Sequence, residues 1–552
     1  MTTIAALLRR RAGDTTPGLL FEDRTWAWAE VVQECADRAA LLVERRRPGP
    51  FHVGVLLDNV SEFPMWLGAA SLAGAVVVGI NPTRRGAELA RDIRHTACQL
   101  LVTETAHLPL LAGLDTGVAD EDVLVVDQPG HQVELTRHRG SSLPRQDVGE
   151  SDLLLLLFTS GTSGTPKACR CTQGRLAGIG EKVAEMFRLG PQDVCYLAMP
   201  LFHSNALMAG WAPAMAGGSV MALRRRFSAS GFLPDVRRFG VTYFNYVGKP
   251  LSYILATPER PDDSDNPLRL VFGNEAAETD IDRFSRRFGC TVVDNYGSTE
   301  GGATVLRTPS TPPGALGVAP EGTVVLDPKT GRECPTARFD DQGRLLNPDE
   351  AIGELVNKLG AAGFEGYWDN DDATSARVRD GMYWTGDLAY RDDAGFFYFA
   401  GRDFEWLRVD GENFAAAPVE RILARHPDVL LAAVYAVPDP VVGDRVMAAL
   451  ELRPGAGLDP AALSAFLEDQ PDLGTKWAPS FVRVTERLPL TPSNKVLKRQ
   501  LRRERWECAD PVWWAPVPPA RGGTYRRLTT QDAADLRAQF RARGRTEALE
   551  AV

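Results

Sequence analysis

Residues 153–167 read LLLLLFTSGTSGTPK. Five hydroxyls (Thr159, Ser160, Thr162, Ser163 and Thr165), two glycines (Gly161 and Gly164) and one ammonium (Lys167) fall within nine positions. That set suits phosphate oxygens. Hydroxyls and backbone N–H groups donate, glycine lets a ligand approach the backbone, and lysine supplies positive charge. The spacing is not that of the Walker A loop, since the glycines are three apart and Pro166 precedes the lysine. A solvated surface loop is the competing reading. The placement straight after an apolar run, 153–158, and the terminal lysine weigh against it without settling the matter.

Four further stretches carry chemistry-bearing residues in chain order. NYGSTEGG holds Tyr296, Gly297, Thr299 and Glu300 just after an apolar strand. YWTGDLAYRDDAGFFYFAGR holds Asp387 and Arg402, DFEWLRVDGENFAAAPVE holds Glu405, Gly411 and Glu420, and LPLTPSNKVLKRQL holds Lys495. Each alone has an ordinary explanation: a strand-end turn, a hairpin acid, a glycine turn before a helix, a surface basic run. All five in this order and at these separations are hard to explain by chance.

The elements that must position them alternate. Apolar runs at 52–59, 75–82, 99–104 and 122–127 read as strands with helical material between several of them, the βα alternation of a mainly parallel sheet. The pattern resumes at 241–248, 268–275 and 290–302. From about Pro309 the texture turns Gly- and Pro-rich, as hairpins require, and 391–402 reads as one hairpin. A smaller α/β unit follows, with 414–427 as helix and 429–439 as strand, so a boundary is expected within 401–405. Residues 516–523 read as a linker. Residues 529–545 read as a helix with a T-x-x-D cap and Ala533, Leu536 and Phe540 on one face. Seven Arg against four acids lie from Arg521 onward, and a tail helix packed on the body is the reading favoured for them.

At 552 residues the chain exceeds one core, and two to four domains are expected. A formal charge of −10, with no dense basic block outside the C-terminal region, excludes a general nucleic-acid binder. No apolar run reaches the ~18–20 residues of a membrane helix, and MTTIAALLRRRAGD has the wrong order for a secretory signal. Eight scattered Cys suit reduced thiols in the cytoplasm, and the Cys169–Cys171 pair lacks the partners a zinc site needs.

Together the five stretches resemble the adenylate-forming superfamily of acyl-CoA synthetases, amino-acid adenylation domains and luciferases. The resemblance runs to about Trp514. PLFHSNALMAGW, FNYVGKPLSYILATPE and RVDGENFAAAPVE are most similar to the branch of fatty-acid-transport proteins and very-long-chain acyl-CoA synthetases, especially actinobacterial fatty-acid–CoA ligases. It implies an α/β fold: a large N-terminal domain (1–402) of stacked α/β sheets plus a distorted β-barrel, holding the ATP and acyl sites. A small mobile α+β lid (403–515) and an Arg-rich linker and tail helix (516–552) complete the chain.

The resemblance also implies roles. Thr159, Ser160, Gly161, Thr162, Ser163, Gly164 and Lys167 would hold the β,γ-phosphates of ATP. Gly273, Asn274 and Glu275 would line the adenine pocket, with Tyr296 and the adjacent Gly297 against the base. Thr299 would contact the α-phosphate and Glu300 would hold Mg²⁺. Asp387, assisted by Arg402, would accept from both ribose hydroxyls. Glu405 falls at the hinge acid, Gly411 in the loop lining the thiol tunnel, His203 at the gate beside the acyl site, and Lys495 at the lysine that reaches the α-phosphate and the attacking oxygen.

That chemistry explains the residue types. A carboxylate attacking an anionic phosphate meets repulsion while a pentacoordinate centre gains negative charge, which a metal on Glu300 and the ammonium of Lys495 offset. A carboxylate already ionised near pH 7 needs no general base. The second step needs thiol access, so one rotating lid can serve both in turn. The sequence therefore implies an ATP- and Mg²⁺-dependent ligase acting on a fatty or aryl acid, with CoA as acceptor and a carrier protein or second copy of the chain as the partners to test. The alternatives are an ATP-dependent diazotase using nitrite and an aromatic amine, transfer to a carrier protein, and a catalytically silent nucleotide-binding scaffold. The chain departs from the family pattern in KACRC after Lys167, in Phe404 before Glu405 and in Asn494 before Lys495; the last two concern the lid.

Overall fold

A computed structural model describes residues 2–550 except 146, 160–165, 277, 342, 344, 362, 403–405, 410–411, 441–442, 475, 492–494, 518 and 520–522. The apolar runs pair as expected. His52–Leu56, Val76–Gly79, Cys98–Thr103, Val123–Val125 and Leu153–Thr159 form a parallel sheet closed by antiparallel Lys167–Thr172. Leu154 to Leu157 are at most 2% exposed, so this strand is covered on both faces.

A second, eight-stranded sheet runs, in spatial order, Thr304–Leu306, Thr291–Gly297, Leu270–Asn274, Tyr243–Val247, Val194–Leu197, Val220–Leu223, Pro17–Phe21 and Arg24–Ala27. Its six central strands are parallel and its two edges antiparallel. One continuous apolar core joins the two sheets and includes the fully buried Trp28, Trp66, Trp211, Tyr196 and Tyr243. An ion-pair seam also links them. Arg225 reaches Glu104 at 2.7 Å and Arg226 reaches Asp58 at 2.9 Å, with His107 Nε2 at 3.5 Å from Glu104 and 3.4 Å from Asp58. Two carboxylates face two guanidiniums there.

An antiparallel five-stranded sheet, Thr323–Leu326, Gly353–Asn357, Val378–Arg379, Met382–Arg391 and Phe397–Arg402, stands where the barrel is implied. The last two of these strands form the hairpin expected at 391–402.

Beyond it lies a seven-stranded mixed sheet: Trp406–Val409, Glu412–Ala415, Val429–Asp439, Gly443–Leu452, Phe481–Thr485, Val512–Trp514 and Arg526–Arg527. The helix expected over 414–427 is shorter, Ala416–Leu423. Its first residues belong to the strand Glu412–Ala415, paired with Trp406–Val409, because a hairpin ladder satisfies their backbone groups before the helix begins. The tail helix Thr530–Ala542 carries the expected Thr529/Asp532 capping box and buries Leu536 and Phe540 in an apolar cluster with Leu431, Tyr435 and Trp506.

Candidate active site

Two strand ends and one loop build the floor. Lys167 opens its strand directly opposite Thr159, so the ends of the Gly/Thr loop are clamped together; Ser160, Gly161, Thr162, Ser163 and Gly164 lie outside the described residues. The Lys167 ammonium sits 5.3 Å above the Tyr367 ring, and burial, then the nearby Arg377 guanidinium, lower its pKa from the usual lysine range. Tyr367 donates to Glu300 Oε1 at 2.8 Å, and Glu300 is buried. The lysine expected to hold phosphate and the carboxylate expected to hold metal thus face one another across a shared tyrosine.

Thr299 is held from both sides. Its carbonyl accepts from Arg175 Nη2 at 2.6 Å and its hydroxyl lies 2.7 Å from Ser204 Oγ. Ser204 follows His203, and the loop bearing both crosses close to the end of the strand Val76–Gly79. A Cβ at Gly79 would sit 2.6 Å from the Phe202 carbonyl oxygen, so only glycine lets the His203 loop lie there. His203 is partly buried. Burial, then the Lys495 charge, push its pKa down to about 4, so the imidazole is neutral near pH 7.

The wall is built by three adjacent parallel strands. A Cβ at Gly273 would meet the Tyr246 carbonyl oxygen at 2.3 Å, which fixes that position as glycine for packing. Asn274 donates to Asn295 O at 2.9 Å and Oδ1 at 2.5 Å. Gly297 ends the strand that carries Tyr296. The Tyr296 hydroxyl donates to Asp387 Oδ2 at 2.5 Å, and burial and that carboxylate raise its pKa well above the usual tyrosine value. Asp387 is buried and stands opposite Arg402 in the hairpin register.

The C-terminal domain contributes Lys495, whose Nζ lies 2.5 Å from Glu275 Oε1. Its backbone N–H donates to Thr491 Oγ1 at 3.0 Å, and its carbonyl accepts from Thr491 N at 2.7 Å. Phe404, Glu405, Gly411 and Asn494 lie outside the described residues. The structure therefore brings Thr159, Lys167, Gly273, Asn274, Glu275, Tyr296, Gly297, Thr299, Glu300, Asp387, His203 and Lys495 around one region. Ser204, Arg175, Tyr367 and Arg377 join them without having been expected. Ser204 had a signal in its adjacency to His203. Tyr367 had none, being placed by the long-range bridge between Cys169 and Tyr367.

Residues 9–368 match the AMP-binding enzyme family, and residues 418–495 match the AMP-binding enzyme C-terminal domain. The chain belongs to the AMP-binding enzyme family. It is 54% identical over 553 residues to a steroid-22-oyl-CoA synthetase of Rhodococcus jostii (strain RHA1), covering 99% of each chain. It is 51% identical over 512 residues to the medium/long-chain-fatty-acid–CoA ligase FadD17 of Mycobacterium marinum, covering 93% of this chain and 98% of the relative. The structure of ATP-bound MatB from Rhodopseudomonas palustris superposes with a TM-score of 0.77 at 23% identity, over 91% of this chain and 98% of that one. Fold and enzyme class follow: an adenylate-forming protein of the acyl-CoA synthetase group, an AMP-forming acid–thiol ligase. Among the described residues no helix is long and apolar enough to cross a membrane.

Proposed function

We propose that this enzyme uses ATP to activate a bulky apolar carboxylic acid, of the steroid side-chain or long-chain fatty type, and passes the acyl group to CoA. The observation that carries the reading is the 54% identity across both full lengths to the steroid-22-oyl-CoA synthetase. That identity extends over both of the matched domains, residues 9–368 and 418–495.

The site supports the two half-reactions. Thr159, Lys167 and the loop between them would take the β,γ-phosphates, and Thr299, held by Arg175 and Ser204, would meet the α-phosphate. Asp387 would accept from the ribose hydroxyls, with its Oδ2 already receiving Tyr296. A single buried carboxylate at Glu300, near Lys167 and Arg377, suits Mg²⁺, which keeps most of its waters and is bound mainly through substrate phosphates. Bound there, Mg²⁺ would neutralise charge on the phosphates. Lys495 would stabilise the attacking carboxylate and the gathering phosphate charge, then leave with the lid. The neutral His203 imidazole stands beside that ammonium without repelling it. Residues 1–402 would form the adenylating body, 403–515 the lid and 516–552 the tail; CoA would enter past Gly411.

The test is a substrate panel: ATP, Mg²⁺ and CoA with steroid side-chain acids, medium- and long-chain fatty acids and benzoate, read as acyl-CoA by mass spectrometry. The reading expects thioester from the steroid or long-chain acids with AMP and pyrophosphate in equal amounts. Turnover with nitrite and an aromatic amine, and none with any acid and CoA, would replace it with the diazotase reading.

A further inference from the structure

Glu275 follows the last residue of the strand Leu270–Asn274, and its φ is 70°. A non-glycine residue holds the left-handed region only where its surroundings fix it. Both neighbours are fixed. The Asn274 carbonyl accepts from Gly248 N at 3.0 Å and its side chain is tied to Asn295. Ala276 N donates to Asp294 Oδ2 at 3.1 Å, and the same oxygen receives the Tyr246 hydroxyl at 2.5 Å. Between these two anchors the chain turns, and the Glu275 carboxylate meets the ammonium of Lys495 from the lid at 2.5 Å.

We infer that Glu275 is a docking carboxylate for Lys495: it holds the lid in the adenylating orientation before the acid arrives, and the acid's own carboxylate then takes over the ammonium. The inference rests on the reading of Lys495 given above. The exchange is between like groups, a side-chain carboxylate for a substrate carboxylate, and no covalent bond changes. Its strength suits the task. The two side chains are 36% and 45% exposed, and a solvent-facing pair of this kind biases an equilibrium by no more than about fivefold. A contact of that size sets a resting orientation yet yields to a competing ligand, whereas a buried pair would trap the lid. His203, kept neutral between the two charges, adds none of its own to the exchange. Glu275 is thus a positioning residue, acting through Lys495.

The experiment places fluorophores by amber suppression at exposed Val133 in the body and at Gly457 in the lid, in the full-length, ligand-free enzyme. Glu275→Gln should shift the distance distribution away from the docked state by up to about fivefold. Glu275→Gly, which removes the side chain but suits the backbone, should do the same. Lys495→Gln should match them, and Glu275→Gln combined with Lys495→Gln should add nothing further. Raising salt from 0.05 to 0.5 M should reproduce the shift in the wild type and leave Glu275→Gln unmoved. Adenylation in single turnover should slow severalfold in Glu275→Gln, with a smaller loss in the thioester step from supplied acyl-adenylate. An unchanged distribution in Glu275→Gln, or additive effects of the two Gln substitutions, overturns the inference. If Lys495→Ala retains full adenylation, the functional reading itself fails. If Lys495→Ala loses adenylation while Glu275→Gln leaves the lid unmoved, only the docking role fails.

Discussion

Replacing Asp387 with Asn isolates the ribose contact. The carboxylate is 6% exposed, and one of its oxygens already accepts the Tyr296 hydroxyl. Two ribose hydroxyls donating to a buried carboxylate would make charge-assisted bonds of about 1.5–3 kcal/mol each. Asparagine keeps one acceptor, loses the charge and presents a donor where the second acceptor was. One bond should be lost and the other weakened, about 2–4 kcal/mol together, or roughly 30- to 900-fold in kcat/KM for ATP. The amide is isosteric and still accepts from Tyr296, so the fold should survive. ATP–pyrophosphate exchange at varied ATP reads the loss, and a thermal melt shows that the protein remains native. Tyr296→Phe, which removes only the supporting hydroxyl, should cost about 1 kcal/mol, or roughly fivefold. A kcat/KM within about threefold of wild type for Asp387→Asn would remove this residue from the ribose site.

Lys495→Ala should lower adenylation by about 10² or more, as removal of a charge aimed at the transition state does; equal loss in the thioester step would mean that the lysine stays in the site throughout. Gly411→Leu should block thioester formation while sparing pyrophosphate exchange, and loss of both would place Gly411 outside the thiol path. Burial lifts the Asp294 carboxyl from 3.8 to about 7. Between those values the native chain binds more protons than the unfolded chain, so stability falls as pH rises across that window. Asp294→Asn imitates the protonated acid, and its stability relative to wild type in urea melts should therefore rise by about 3 kcal/mol between pH 5 and 8. A pH-independent difference would show that Asp294 is ionised throughout.

Much of this architecture was legible in the sequence because it depends on local pattern. The run 153–158 and the strand Val429–Asp439 announce themselves by apolar composition, and Thr529 and Asp532 announce the tail helix by their spacing. Lys167, Glu300, Asp387 and Lys495 could be named because each sits in a short stretch whose order matches the family pattern. What the sequence withheld is partnership across long separations. Nothing near Tyr367 signals that strand pairing will set it under Lys167 and against Glu300. Nothing near Glu275 signals Lys495. The ladder from Tyr246 through Asp294 to Ala276 arises because parallel pairing sets neighbouring strand ends level, and that register is invisible in any one strand. The shortened helix Ala416–Leu423 shows the same limit: Phe414 and Ala415, read as its first residues, pair instead in a hairpin that only the folded sheet supplies.

The central claim is that one site turns a bulky apolar acid, ATP and CoA into a thioester by way of an enzyme-bound adenylate. A single-turnover reaction with a steroid side-chain acid and α-labelled ATP, followed by quench and mass spectrometry, tests it most directly. Without CoA the account predicts acyl-adenylate and one pyrophosphate per enzyme, and addition of CoA should convert that adenylate quantitatively to acyl-CoA and AMP. Pyrophosphate release with no acyl-adenylate across the acids tested, or an adenylate that CoA does not consume, would contradict it.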